Sequence, residues 1–353
     1  ETVAAIPIHV ALHQGSELEL ALSRVERTVG FRDPDDPQGF TRADTQANSD
    51  GIRAALHQTL GRHRIVAGGE WRRDEVTDGS SLGPNLDRRL LATRSLFAQD
   101  TLALGDHFGV LAGLRWDAAD PWGRELSPRA TLSWQGPAVR AWLSYGRAFR
   151  APSLGELYYP YSGNPSLRPE RARSSEVGVA IPIGRDASRL ELVAFSNRIS
   201  DLIDFDFAAY RYGNIARAAQ DGLEAWWTQA IARERRLRLA LTWLNARDGA
   251  GRPLLRRARW TGSATLDSPL LGSASGELSL IWVGPRVDVD PVTFSRVPQG
   301  GFVTADVALR APLTSWLTAR VRAENLAGRA YQEVRGYPAP GRRVMLGLES
   351  VLH

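Results

Sequence analysis

The sequence is dominated by segments in which apolar and polar residues alternate with a period of two. At 302–310, "FVTADVALR", Val303 and Leu309 share one face, while Thr304 and Asp306 lie on the other. Segments 108–117, 236–243 and 316–324 repeat the arrangement. A period of two over eight to ten residues predicts β-strands whose two faces differ in chemistry.

Seventeen such segments can be marked along the chain, so the sequence predicts an all-β protein. The predicted strands are 3–12, 17–29, 48–59, 62–75, 90–103, 107–118, 126–135, 138–148, 173–183, 188–206, 216–231, 234–246, 256–267, 274–287, 301–311, 315–328 and 341–352.

The predicted connections alternate between short and long. Short turns such as "HQGS" (13–16) and "QG" (136–137) alternate with long loops at 30–47, 76–89, 119–125, 149–172, 207–215, 247–255, 288–300 and 329–340. In an antiparallel meander, successive connections lie at opposite ends of the sheet. Short turns at one end and long loops at the other predict an antiparallel transmembrane β-barrel with periplasmic turns and extracellular loops.

A soluble β-sandwich is the main alternative, but its loop lengths need not alternate in this way. Here the polar face carries Arg, Asp, Glu, Thr and Ser on nearly every strand, which suits a wide, wet lumen. Trp116, Trp134, Trp243 and Trp282 fall near strand ends, as residues of an interfacial girdle would. No apolar run is long enough for a membrane-spanning helix.

Composition narrows the possible functions. The chain has no cysteine, which excludes disulfides and thiolate metal sites. The net charge is +5 and all basic residues are Arg, but they are scattered singly, so nucleic-acid binding is not expected.

The strand count also predicts that the barrel is incomplete. Seventeen is odd, whereas bacterial single-chain barrels have an even number of strands, and an unpaired edge is costly in lipid. The chain begins "ETVAAIPIHV", with no initiating Met and no signal peptide. We therefore expect a fragment, with the missing strands before residue 1.

Two stretches resemble TonB-dependent receptors. One is "SYGRAFRAPSLGELYYPYSGNPSLRPERARSSE" (144–176), and the other is "ENLAGRAYQEVRGYPAPGRRVMLGL" (324–348). Within that family, "SNRISDLIDFDF" (196–207), "YGNIARAAQDGLEAWW" (212–227) and "PLLRRAR" (253–259) resemble the cobalamin receptors. The resemblance covers roughly residues 40–352.

The resemblance implies a 22-stranded up-and-down barrel filled by an N-terminal plug. On that template, residues 1–353 are the C-terminal part of the barrel domain and hold about the last 17 strands. The plug, the first strands and the segment that engages TonB would be missing. Leu352 stands where family barrels usually end in an aromatic residue, and His353 lies one residue beyond.

The implied function is TonB-driven import of cobalamin or another corrinoid across the outer membrane, with a ferric siderophore as the alternative ligand. The implied protein is a monomer in contact with outer-membrane lipid and lipopolysaccharide. A barrel enzyme is disfavoured because no His falls in a long loop, so no triad can form at the mouth. The same placement disfavours a haem receptor.

The resemblance assigns two substrate-binding residues. Arg256 opens a strand after loop 247–255 and matches an Arg that contacts the ligand in cobalamin receptors; a solvated rim charge is the competing interpretation. Thr45, near the end of loop 30–47, is the nearest match to a family Thr contact. A third contact, a Tyr, falls at about Pro291, which cannot donate a side-chain hydrogen bond.

No cofactor or metal site is expected in this chain. The resemblance to cobalamin receptors implies that Ca²⁺ orders earlier extracellular loops, which would precede residue 1. Asp33, Asp35 and Asp36 have the oxygen-rich look of a Ca²⁺ loop but are interpreted as a solvated acidic loop, as are Asp288 and Asp290. Tyrosines 158, 159 and 161 either pave a ligand face or pack their own loop, and packing is favoured.

Overall fold

The computed structural model describes residues 1–184, 188–206, 209–232 and 234–350. They fold almost entirely into antiparallel strands with one short helix, which confirms the predicted all-β class. The elements are β1 Thr2–His13, β2 Ser16–Arg32, β3 Arg42–Leu60, β4 His63–Ser80, β5 Gly83–Leu104, β6 Phe108–Ala119, β7 Gly123–Gln135, β8 Arg140–Arg150, α1 Leu154–Tyr158, β9 Glu170–Ile183, β10 Ser188–Asp206, β11 Arg211–Ala232, β12 Arg235–Asp248, β13 Trp260–Pro269, β14 Ser275–Val283, β15 Arg286–Val289, β16 Arg296–Gln299, β17 Phe302–Pro312, β18 Leu317–Glu324, β19 Gln332–Val334, β20 Tyr337–Pro338 and β21 Arg343–Ser350.

Each of the seventeen predicted strands has a counterpart among these elements. The four further strands form two small hairpins inside the long loops, β15–β16 and β19–β20. The prediction for Leu352 and His353 lies outside the described residues.

The chain forms two compact units. The first comprises Glu1–Trp134, Leu143–Ser175 and Arg198–Arg217, and the second comprises Gln135–Trp142, Glu176–Asn197 and Ala218–His353. In the first unit, neighbouring strands from β1 to β7 pair in sequence order. In the second, β11 to β14 pair in order and continue through β17 and β18 to β21.

Several predicted long loops are shorter than predicted. Strands β4 and β5 run on through most of 76–89 and meet at the tight turn Ser81–Leu82. The loop at 119–125 shrinks to 120–122, between β6 and β7. Both stretches are rich in turn-forming residues, but pairing with the neighbouring strand satisfies their backbone groups and extends the ladder. Long and short connections therefore alternate less strictly than predicted.

The strands carry large apolar side chains on an exposed face. Leu223 is 56% exposed, Val303 51% and Leu96 61%, whereas the other face carries hydrogen-bonded polar groups. In the first unit, for example, the Arg115 guanidinium bonds Asp117, Glu70 and Ser95. Leu237, Leu239 and Val307 are half-buried, so they are not enclosed between two sheets. One face with exposed apolar side chains and one with hydrogen-bonded polar side chains are what the wall of a transmembrane barrel requires.

The first unit has its apolar core at the long-loop end, beneath helix α1. Leu91, Ala119, Trp122 and Leu154 are buried there, and the rings of Trp122 and Phe149 lie 5.4 Å apart. Ser153 begins the helix with a reciprocal capping box to Glu156, a signal visible in the sequence "SLGE".

Candidate ligand-binding site

Arg256 lies in the second unit, in the long connection between β12 and β13. The predicted strand start at this residue is wrong, because β13 begins at Trp260 and Arg256 has the left-handed φ of 57°. Its N–H donates to the carbonyl of Val287 at 2.7 Å. Its Nε donates to Oδ1 of Asp288 at 2.8 Å, and the side chain remains 48% exposed.

Asp288 is the buried partner that orients Arg256. The interpretation of Asp288 as part of a solvated acidic loop is wrong, because its exposed fraction is 0%. Its carboxylate also accepts two main-chain N–H groups, that of Arg335 at 2.8 Å and that of the next residue, Val289, at 2.7 Å. Burial alone raises the pKa of Asp288, but these two N–H groups and the Arg256 guanidinium outweigh it and lower the pKa.

Asp290 repeats this arrangement two residues further along. Its carboxylate accepts the N–H groups of Val292 and Thr293, both at 3.0 Å, and Nε of Arg335 at 3.3 Å. The two N–H groups lower the pKa of Asp290, and burial opposes them only in part. One carboxylate thus closes the hairpin tip and fixes a second guanidinium.

Arg286 links the β15–β16 hairpin to the β19–β20 hairpin. It is 8% exposed, its Nη2 donates to the carbonyls of Gln332 and Glu333 at 2.7 and 2.9 Å, and its Cζ lies 5.6 Å from the centroid of the Phe302 ring. Its Nη1 has no hydrogen-bond partner within the described ranges. Sequence reasoning missed this residue because its partners are main-chain carbonyls far along the chain.

Large apolar side chains are exposed at the tips of the two hairpins. Phe294 is 75% exposed, Val292 81% and Tyr337 71%. The tips meet at Gly336 (φ 89°), where an added Cβ would lie 3.1 Å from Cγ of Pro291. Large apolar groups held outward on a fixed scaffold are typical of recognition surfaces.

Thr45, the second predicted ligand contact, belongs to the first unit. It lies within β3 rather than at the end of a loop, directly opposite Asp78 of β4. Its hydroxyl donates to Oδ1 of Asp78, whose Oδ2 accepts Nδ2 of Asn85 at 2.7 Å. The hydroxyl proton is committed to this network, and a ligand contact by Thr45 stays a prediction, as it does for Arg256.

The "FRAPSLGELY" stretch serves to fix its own loop in the first unit. Arg150 donates to both oxygens of Glu156 at 3.0 Å and to Glu170 at 2.6 Å. Burial raises the pKa of Glu156, but the Arg150 guanidinium and the capping box outweigh it and lower the pKa. The motif therefore fixes the base of its own loop.

The three tyrosines of this loop behave differently from one another. Tyr158 packs against the apolar core and lies under the Arg89 guanidinium at 5.1 Å. Burial raises the pKa of Tyr159, and so does nearby Asp78. Tyr161 is 95% exposed. Packing thus accounts for Tyr158, but not for Tyr161.

Metal-ligating groups do not gather into a site in the part of the chain that the structure describes. It contains no cluster of three or more His, Cys, Asp or Glu side chains able to hold an ion. The Asp33 and Asp36 carboxylates accept N–H groups of their own turn, from Asp35, Gln38 and Phe40.

Helices long and apolar enough to cross a bilayer are absent from the described residues.

The chain is similar to outer-membrane receptors of known structure. The siderophore receptor PirA from Acinetobacter baumannii matches with 15% identity and a TM-score of 0.81, over 99% of this chain and 62% of that one. The FrpB iron transporter from Neisseria meningitidis matches with 15% identity and a TM-score of 0.80, over 99% and 62%. The ferripyoverdine receptor from Pseudomonas aeruginosa matches with 16% identity and a TM-score of 0.77, over 95% and 54%.

These likenesses establish the fold, and this chain spans less than two thirds of the length of each of those receptors. The model of the family "TonB dependent receptor-like, beta-barrel" matches residues 15–326. That match covers most of the sequence and agrees with the antiparallel strands and their exposed apolar face. The chain therefore belongs to the TonB-dependent receptor β-barrel family of outer-membrane proteins.

Proposed function

We propose that this chain is the barrel portion of a TonB-dependent receptor that imports a ferric siderophore. Family membership supports a receptor rather than an enzyme. The solved structures to which the chain is similar include siderophore receptors and an iron transporter. The ferric chelate, considered first as the alternative ligand, thus becomes the favoured one over cobalamin.

The choice of a ferric chelate over cobalamin rests on the side-chain donors at three positions. These are the positions that the resemblance to cobalamin receptors assigns to ligand binding. The Thr45 hydroxyl donates its hydrogen bond to Asp78, and position 291 is a proline without a side-chain donor. Only Arg256 keeps N–H groups free for a ligand, because Asp288 uses its Nε alone. Two of the three positions therefore offer no free side-chain donor to the amide carbonyls of a corrinoid.

The partly exposed donors that remain in this region are the guanidinium groups of two arginines. Arg256 and Arg335 are each anchored by a carboxylate through Nε and stay partly exposed. Guanidinium groups suit a negatively charged chelate better than a corrinoid, whose periphery is mostly neutral amide.

The test is a ligand titration of the full-length protein in detergent. Ferric chelates and cyanocobalamin are added separately, and binding is followed by intrinsic tryptophan fluorescence. We expect saturable binding of at least one ferric chelate and no saturable binding of cyanocobalamin. Binding of cyanocobalamin with no ferric chelate bound would overturn the proposal. Uptake of radioactive iron by cells with and without TonB then tests energised transport.

A further inference from the structure

Two arginines of the second unit face each other across strands β17 and β18. Arg310 and Arg320 are direct partners in the antiparallel ladder, so their side chains lie on the same face of the sheet. We propose that this arginine pair is a carboxylate-binding site on the periplasmic side of the wall, which holds an anionic ferric chelate as it leaves the receptor. The inference rests on the proposed function and adds a second site to it, at the opposite end of β17 from the loop hairpins.

The arginine pair lies on the polar face of the sheet, close to a short turn. Leu309, the neighbour of Arg310, is 40% exposed and belongs to the apolar face, and successive side chains of a strand point to opposite faces. The turn 313–316 between β17 and β18 is one of the short connections, and in an outer-membrane barrel these lie on the periplasmic side. The pair therefore faces the wet side of the wall near its periplasmic end.

No acidic residue neutralises the arginine pair within its own row of the ladder. The next partners along that row are Ser275 on β14 and Gly347 on β21, which carry no charge. Arg320 gives its Nη2 to Glu349, and no hydrogen bond or ion pair engages the side chain of Arg310 in the part of the chain that the structure describes. Like charges placed directly opposite each other destabilise a sheet. An anion bound between the two arginines would remove that cost.

Neighbouring arginines of the same face differ, because each has acids of its own. Arg238 donates to Asp267 at 3.0 Å and to Glu277 at 3.1 Å. Arg322 pairs with Glu324 at 2.9 Å. These acids are engaged by their own cations, so the spare positive charge belongs to the arginine pair.

A cavity of about 610 Å³ opens beside the arginine pair. Cavities of roughly 300–1,000 Å³ are usual for small-molecule sites. The lining includes three arginines and two hydroxyl-bearing residues, Arg310, Arg320, Arg322, Ser273 and Ser275. Arg238 already holds two of the three acids in this lining, so Glu234 alone opposes the three arginines. The cavity thus offers donors and positive charge to a ligand.

The chemistry of this lining selects a carboxylate. A guanidinium group binds a carboxylate through two parallel N–H···O bonds, and two neighbouring groups can hold two carboxylates of one ligand. Arg320 keeps Nε and Nη1 for this purpose, and Arg310 keeps its whole guanidinium. Ferric chelates built on citrate-like carboxylates carry such groups and a net negative charge. A neutral chelate without carboxylates has nothing for the pair to hold.

The test places a reporter in the cavity of the full-length protein. Residues 1–353 contain no cysteine, so Ser273→Cys gives this part of the protein a single thiol, at an exposed position, for an environment-sensitive fluorophore. Citrate and ferric citrate are added separately to the protein in detergent, and sodium chloride at the same ionic strength is the reference. We expect a saturable change in fluorescence with both anions and none with chloride.

Substitution of Arg310 should weaken this binding. Arg310→Gln is expected to lower the affinity for both anions roughly 10-fold, as for loss of a charge-assisted hydrogen bond. Arg310→Lys keeps the charge but not the planar fork, so its affinity should lie between that of Arg310→Gln and that of the wild type. Arg236→Gln is the matched control, because Arg236 lies on the same face, opposite Asp267, and does not line the cavity. It should leave both affinities unchanged.

Glu349→Gln separates a binding role from a structural one. It removes the acid that occupies Nη2 of Arg320, so binding of both anions should become about 3- to 10-fold tighter. An arginine pair that served only the stability of the sheet would show no such gain.

The failures are separable. No saturable response to either anion, or equal affinities in the wild type and Arg310→Gln, overturns the site but leaves a ferric-chelate receptor. A response to citrate without one to ferric citrate overturns the role in chelate release. Cyanocobalamin as the only ligand bound in the titration of the proposed function overturns that function and the release role together, whereas the response to citrate does not depend on it.

Discussion

The indole ring of Trp142 lies directly over Gly178, within the second unit. A Cβ added at Gly178 would be only 2.1 Å from Cζ2 of the ring, and Nε1 of Trp142 donates to Glu176 at 2.6 Å. The glycine thus makes room for an aromatic side chain that is fixed by its own hydrogen bond. The same pairing recurs at Gly222, where an added Cβ would be 2.3 Å from the Phe195 ring.

Gly178→Ala should therefore destabilise the barrel. The added methyl group forces the Trp142 ring to move and strains its hydrogen bond, at a cost of about 1–3 kcal/mol. The measurement is the urea midpoint of unfolding, read from heat-modifiable migration on gels. Gly347→Ala is the control, because an added Cβ there meets no atom within 4 Å. Equal midpoints for the two variants would contradict the prediction.

Ser153→Ala should loosen helix α1. It removes the acceptor for the Glu156 N–H and breaks the capping box, which is worth about 1 kcal/mol. The expected result is faster hydrogen exchange across 153–169, with little change in the strands. Ser166→Ala, in the same loop, is the control, because the structure gives Ser166 a hydrogen bond only through its main chain. An exchange pattern identical in both variants would refute the role of the cap.

The hairpins around Asp288 should loosen in acid. The pKa of Asp288 is lowered on folding, so its stabilising contribution is full above the unfolded value of about 3.9 and is lost as the pH falls through the lower folded value. Asp290, whose pKa is also lowered, titrates in the same direction.

Hydrogen exchange of residues 286–299, corrected for intrinsic rates, should therefore rise below about pH 4 in the wild type. Asp288→Asn should raise exchange already at pH 7 and flatten the acid dependence to the part due to Asp290. A flat profile in the wild type, or acid loosening that is unchanged in the variant, would argue against this assignment.

Leu223→Arg tests the exposed apolar face of β11. Leu223 is 56% exposed, and a charge placed there in contact with lipid should cost about 2–4 kcal/mol if it lies near the bilayer midplane. Refolding yield into lipid vesicles is the measurement. Leu223→Phe keeps the position apolar and should refold as the wild type does. Similar yields for both substitutions would mean that this face does not meet lipid.

The sequence by itself determined the strands and their faces. Alternation with a period of two reports which side chains meet lipid and which meet water, so all seventeen predicted strands are found. The signal weakens beyond the membrane, where both faces of a strand are wet. The stretch 76–89 was therefore predicted as a loop, although cross-strand hydrogen bonds extend β4 and β5 through most of it.

The sequence alone predicted only part of the candidate site. Arg256 could be singled out by resemblance, but its anchor Asp288 lies 32 residues further on and was misinterpreted as a solvated acid. Arg335 and Arg286 gave no local signal at all. Strand periodicity is a local property set by backbone geometry, whereas the pairing of these side chains depends on which loop tips meet, and only the tertiary structure decides that.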